Sequence, residues 1–285
     1  MKFIPLFLVM IFLSSCHTKP SETESQLDEI KLANVKYGSY ERNIMDVYLP
    51  KGRNKKIPFV INIHGGAWTL GDKVWGAGIS EYFYHHNVAV VNMNYRFADD
   101  NATHLPELLD DINNVVKYIQ QHSEEWNVRN NGYSITGESA GAHMALTYAY
   151  QYPQNIKAIM TRCAPTNFGD IENLKNAQKN DLIGAINKMS GNKEEVDIAK
   201  KIPEKYINVS PVNHVKNIPT LIFHGDQDEL VPYSQATQLS KLLDQKKYNY
   251  QLITLPGASH NILLRDKDRD LIYSKSLEWV EKYGR

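Results

Sequence analysis

The chain contains only two cysteines, Cys16 and Cys163, in 285 residues. A disulfide-stapled scaffold is therefore excluded, and stability must come from a packed core. It also has no net charge, because 32 Lys and Arg balance 32 Asp and Glu. Without a basic field no nucleic-acid partner is expected, and polyanions would not be drawn in from a distance. No apolar run approaches the ~20 residues that cross a bilayer; Phe3–Leu13 falls well short. Metal and nucleotide signatures are missing too: no H-E-x-x-H, no paired cysteines, no Walker loop and no G-x-G-x-x-G. Asp226, Asp228 and Glu229 lack the spacing of a calcium loop, and the apolar Leu230-Val231 follows at once. No cofactor is expected.

What is present is 42% hydrophobic and 22% charged residues, enough apolar material for a sizeable core. Lys2 followed by Phe3–Leu13 has the form of an export signal. Leu13-Ser14-Ser15-Cys16 resembles a bacterial lipobox, which implies that residues 1–15 are removed and that Cys16 carries the lipid. Several acyl chains on one residue anchor durably, whereas a single chain does not. Residues 16–33 are polar and read as a flexible tether. The expected location is the cell envelope, with His17 favouring the outer membrane by analogy.

From residue 34 onward short apolar runs alternate with helical patterns, giving one domain over 34–285. Phe59–Ile63 and Val88–Met93 read as buried parallel strands, and Ile44–Leu49 as an edge strand. Apolar residues at 105, 108, 109, 112, 115, 116 and 119 trace one face of a helix. Further strands are expected at Tyr133–Thr136, Ile156–Met160, Thr220–Phe223 and Tyr250–Leu255. Helices are expected at Ala140–Tyr150, Tyr233–Leu243 and about Lys267–Lys282. This alternation implies a mostly parallel α/β sheet flanked by helices. Residues 167–208 break the rhythm and read as a small polar insertion or lid.

Gly137-Glu138-Ser139-Ala140-Gly141 is a G-x-S-x-G sequence between a strand and a helix. The glycines suit a sharp turn that lifts a serine oxygen above the sheet edge as a nucleophile. His64-Gly65-Gly66-Ala67-Trp68 follows a strand and can offer backbone donors to an oxyanion. The candidate donors are the N–H groups of Gly66, Ala67 and Ala140. His64 is expected to brace this loop rather than act as a base. Serine needs a base, and His260 in Gly257-Ala258-Ser259-His260 follows a strand late in the chain. A carboxylate must then orient the imidazole, and both Asp226 and Asp228 follow the Thr220–Phe223 strand. In an extended segment the two share a face, so side-chain direction does not choose between them.

These motifs, with Asn94-Tyr95-Arg96, Asp110-Asp111 and Ser210-Pro211, resemble the bacterial esterase/lipase branch of the α/β-hydrolases. The resemblance lies nearest the BD-feruloyl-esterase and hormone-sensitive-lipase-like carboxylesterases and covers roughly residues 35–283. It implies an α/β-hydrolase fold and a Ser139–Asp228–His260 triad, Asp228 ending an H-G-x-x-D pattern that starts at His224. It further implies ester hydrolysis through an acyl-enzyme; the polar insertion then favours short acyl groups, and display at the cell surface favours acetyl or feruloyl esters on glycans. Ala67 and Ala142 stand where relatives often have glycine. An amide-cleaving relative, arylformamidase or peptidase-like, is the nearest alternative, and a non-catalytic binding protein a more distant one.

The lipobox reading gives a direct test. Cys16→Ala is expected to move the protein from the membrane fraction to the soluble fraction, or to leave its leader uncleaved. Wild-type protein found only in soluble fractions, with no lipid mass on Cys16, would refute the anchor.

Overall fold

The computed structural model describes residues 27–285. The expected leader at 1–15, Cys16 and most of the expected tether lie outside the described residues. Eight strands form one sheet: β1 (Ile30–Lys36), β2 (Ile44–Leu49), β3 (Phe59–Ile63), β4 (Ala89–Met93), β5 (Tyr133–Glu138), β6 (Ile156–Arg162), β7 (Thr220–Gly225) and β8 (Tyr250–Leu255). Their order is β1-β2-β4-β3-β5-β6-β7-β8. Neighbours from β4 to β8 run parallel, while β1 and β2 are antiparallel additions at one side. Every residue of β3 and β4 is buried, which is why these strands are nearly continuous apolar runs rather than alternating ones, interrupted only by Asn62 and Asn92, which hydrogen-bond each other.

Eight helices accompany the sheet: α1 (Ala77–His85), α2 (Leu105–His122), α3 (Ala140–Gln151), α4 (Ile171–Lys179), α5 (Ile183–Ser190), α6 (Glu204–Asn208), α7 (Ser234–Gln245) and α8 (Asp266–Tyr283). Successive strand residues point to opposite faces, so the core divides in two. Ile61 and Val91 pack with α2, α3 and α7, whereas Val60 and Val90 pack with α1 and α8. The seven apolar positions of α2 are all buried, as their three- and four-residue spacing requires. A capping box between His104 and Glu107 starts that helix.

Two expectations need correction. The body was expected to start at residue 34 after a tether, but β1 already begins at Ile30. Ile44–Leu49 was expected at the sheet edge, and β1 covers it there. The reason is shared. Only Ile30 and Val35 of β1 are even half-buried, so its lysines and asparagine read as solvated chain. Pairing with β2, not burial, makes it a strand.

The insertion over 167–208 contains α4, α5 and α6. Its outer surface is polar, but Leu174, Ala177, Ile186, Met189 and Tyr206 turn inward and join the core. These helices are short, so each shows only one or two buried apolar positions and no sustained period.

Strand direction brings the segments after β3, β5, β7 and β8 to one edge of the sheet. Open α/β sheets place their ligand crevices at such carboxyl ends. The described chain begins and ends at the opposite edge, where Gly52 N–H donates to Leu27 O and Arg129 donates to Gly284 O. The start of α3 also packs closely on the end of β3. A Cβ on Gly141 would fall inside the contact radius of the Ile63 and His64 carbonyl oxygens. Gly141→Ala is therefore expected to lower stability by about 1–3 kcal/mol, read as a lower urea midpoint at unchanged slope. An unchanged midpoint would refute the close approach.

Candidate active site

Ser139 sits between the end of β5 and the start of α3 with φ 52° and ψ −121°. Side chains rarely adopt this backbone region, and it persists only where surroundings hold it. Here the Ser139 N–H donates to Arg162 O at 2.8 Å, and Ser139 O accepts from His143 N–H at 3.0 Å. The Ala140 N–H opens α3 and so has no partner within the helix.

The loop after β3 lies against this turn. A Cβ on Gly65 would stand 3.3 Å from Ser139 Cβ. Gly66, Ala67 and Trp68 all have positive φ, at 116°, 45° and 61°. The Gly66 carbonyl accepts from Thr69 and Leu70 N–H, each at 3.0 Å, closing the loop on itself. Among the described residues no protein acceptor takes the N–H of Gly66 or Ala67. His64 stacks on Tyr95 with ring centres 4.3 Å apart. Its Nδ1–H donates to Gly65 O at 2.6 Å, and Nε2 lies 3.4 Å from Arg42 Nη2. Burial pushes its pKa down to about 4. A neutral, doubly engaged ring of this kind braces the loop.

The acid ambiguity is decided by contact. Asp228 Oδ2 accepts from His260 Nδ1 at 2.8 Å, and Oδ1 accepts from Leu230 and Val231 N–H at 3.0 and 2.8 Å. Asp226 points elsewhere and accepts from Gly257 N–H at 2.7 Å, tying the loop after β7 to the loop after β8. Burial opposes ionisation of Asp228, but hydrogen bonds from His224 and His260 outweigh it and hold the carboxyl well below the usual range. Burial likewise disfavours the charged form of His260, yet the Asp228 hydrogen bond and charge prevail and raise its pKa above 6.5.

Cys163, His224 and Asp228 offer buried donor atoms within 4.8 Å of one another. Burial pushes the Cys163 thiol up, which keeps it protonated. His224 Nε2 donates to Val231 O at 2.8 Å and lies 3.3 Å from Asp228 Oδ2. The group reads as a hydrogen-bonded support for the Asp228 carboxylate.

A cavity of about 630 Å³ opens at this edge. Ser139, His260, Gly66, Ala67 and Ala140 all line it, and Asp228 stands behind His260. No hydrogen bond joins Ser139 to His260 among the described residues; both face the same space. Such contacts often tighten only when substrate binds. Phe168, Ala177, Leu182 and Ile186 from the insertion make the inner wall, and the exposed Leu70, Trp75 and Leu264 make the mouth. Glu138 and the buried Arg162 complete the lining, 3.8 Å apart. Sequence reasoning missed the insertion residues and Arg162. Nothing local marks them, because they reach the cavity only through the fold.

The model of the BD-FAE family matches residues 45–243, well over half of the chain. A probable isoprenylcysteine alpha-carbonyl methylesterase of Arabidopsis thaliana is 23% identical over 262 residues, covering 83% of this chain and 52% of that protein. The probable carboxylic ester hydrolase LipM of Mycobacterium tuberculosis is 25% identical over 218 residues, covering 71% and 49%. The chain thus spans about half the length of these curated relatives. Among solved structures, a truncated carbohydrate esterase from gut microbiota superposes with a TM-score of 0.68 at 21% identity, covering 87% of this chain and 96% of that one. The fold is that of the α/β-hydrolase esterases.

The two aspartates should differ in stability. Asp228 has a depressed folded pKa, so its contribution is full above the unfolded value near ~3.9 and fades as pH falls through the folded one. At pH 7 Asp228→Asn is expected to cost about 1–3 kcal/mol and Asp226→Asn less, with the Asp228 deficit shrinking below pH ~4. Denaturant titrations at pH 7 and 3.5 check this; an Asp228 deficit that persists undiminished in acid would refute it.

Proposed function

The chain belongs to the BD-FAE family, an esterase family, and from that premise we propose that it is a serine carboxylic-ester hydrolase working through an acyl-enzyme. The observation that carries this reading is the 2.8 Å Asp228–His260 contact beside a cavity that also holds Ser139. Ser139 Oγ attacks the ester carbonyl while His260 Nε2 takes its proton, Nδ1 being held by Asp228. The carbonyl oxygen becomes an oxyanion received by the N–H groups of Gly66, Ala67 and Ala140. Collapse of the tetrahedral species breaks the bond to the alcohol, which leaves with the proton from His260. Water activated by the same imidazole then frees the acid and restores Ser139.

The preferred substrates in this reading are short-chain or glycan-linked esters, acetyl or feruloyl. The likeness to a carbohydrate esterase and to a methylesterase supports small ester groups. The apolar wall and Trp75 at the mouth would suit an aryl group. Anchoring through Cys16 is part of the proposal. The described chain starts at the sheet edge opposite the cavity, so a tether there would leave the mouth open to soluble glycans.

The test is turnover of p-nitrophenyl acetate, butyrate and palmitate and of acetylated and feruloylated glycans, with an N-formyl aryl amide as the competing class. Acetate and butyrate should exceed palmitate, and Ser139→Ala should lose ~10⁴–10⁶ of turnover while folded. His260 must be neutral to accept the proton, so its raised pKa places the acid limb of kcat/KM above pH 6.5. A folded Ser139→Ala protein with normal turnover would end the mechanism, and faster amide cleavage would reassign the substrate.

A further inference from the structure

His143 has no part in the proton transfers above, yet it is fully buried and lies one turn along α3 from Ser139. Its two nitrogens are both used. Nδ1 accepts from the indole Nε1–H of Trp68 at 3.1 Å, and Nε2 lies 2.9 Å from Val209 O, to which its N–H donates. This pattern fixes one neutral tautomer. Burial supports it by pushing the His143 pKa down to about 4.

Trp68 is the end of the bond that matters. It belongs to the loop that carries Gly66 and Ala67, and its φ of 61° is a genuine outlier for a bulky side chain. Such a conformation is strained and reverts unless something holds it. The loop has two main-chain restraints, the Gly66 carbonyl and the Ala98 N–H that donates to Trp68 O at 2.9 Å. His64 braces the start of the loop, and the polar restraint on the Trp68 side chain itself is His143. Phe168 packs edge-on to both rings, with centres 5.9 Å from Trp68 and 5.4 Å from His143. The indole thus has one polar contact in an otherwise apolar nest.

We propose that His143 is a positioning residue which, through its hydrogen bond to the Trp68 indole, holds the strained Gly66–Trp68 loop where its N–H groups meet the oxyanion. The proposal rests on the ester-hydrolase reading above. It joins three pieces of chain that are distant in sequence: the loop after β3, the helix behind Ser139, and Val209 at the end of the insertion. An oxyanion contact matters only in the transition state, so loosening the loop should lower kcat and leave KM nearly unchanged.

The gentlest probe is Trp68→Phe, which deletes the indole N–H and keeps an aromatic ring. Losing one oxyanion donor outright costs roughly 10²–10³ in kcat, and a loosened pair should cost about 10- to 100-fold with KM within about twofold. His143→Phe should fall similarly, and the double variant should fall no further than the worse single one, because both remove the same bond. His143→Asn, which keeps an acceptor near the position of Nδ1, should recover part of the loss. A trifluoromethyl ketone, whose hydrate-like adduct needs the oxyanion contacts, should lose affinity in parallel with kcat. Should wild-type protein fail to cleave esters through Ser139, the functional reading falls before any variant is compared. If wild type is active, a folded Trp68→Phe protein with kcat within threefold of it overturns the role of His143. So does a multiplicative double variant.

Discussion

Everything at the site depends on one backbone turn. Ser139 occupies a conformation that an isolated chain would leave, and it is held because the strand before it and the helix after it are both fixed. Gly137 and Gly141 let β5, α3 and the end of β3 approach to a separation that no side chain would permit. The strain is local and its restraint is global: the sheet positions Arg162 O under the Ser139 N–H, and α3 supplies His143 N–H to its carbonyl. The loop carrying Gly66 and Ala67 then rests directly on that turn, so the candidate nucleophile and candidate donors are set by one contact.

Four histidines surround this turn, and their environments assign them different work. His64 and His143 are buried, each with both ring nitrogens engaged, and burial holds both neutral. His224 is buried beside Asp228 and closes the acid loop onto Val231. Only His260 combines a carboxylate on one nitrogen with a cavity on the other side of the ring. The same side chain is a brace in three places and a candidate base in one. At His64 and His143 desolvation prevails, whereas at His260 the fixed charge of Asp228 does.

The insertion shows the same dependence on surroundings. Its helices present polar surfaces outward, in keeping with their lysine- and asparagine-rich sequence, while a few apolar residues complete the cavity wall. Phe168 at its start and Val209 at its end both touch the His143–Trp68 pair. The cover over the cavity and the loop beneath it therefore share one buried cluster, and neither can shift far without the other.

The strands β3, β4 and β7, the helix α2 and the G-x-S-x-G turn were legible in the sequence because each depends on local periodicity or on residues a few positions apart. The same holds for the order of Ser139, the acid loop and His260 along the chain. Strand β1 was not legible, since its pairing with β2 leaves no mark on its own composition. Side-chain direction could not choose between Asp226 and Asp228, because residues two apart in an extended segment share a face; resemblance selected Asp228, and the turn the chain makes there instead brings it to His260. The cavity wall, Arg162 and the His143–Trp68 bond were invisible for a further reason. They join residues from 26 to 100 positions apart, and only the packing of the sheet against its helices sets those distances. Apart from β1 and the helices of the insertion, the sequence by itself determined which segments become strands and helices and which residues could do chemistry; the tertiary structure decided which of them meet.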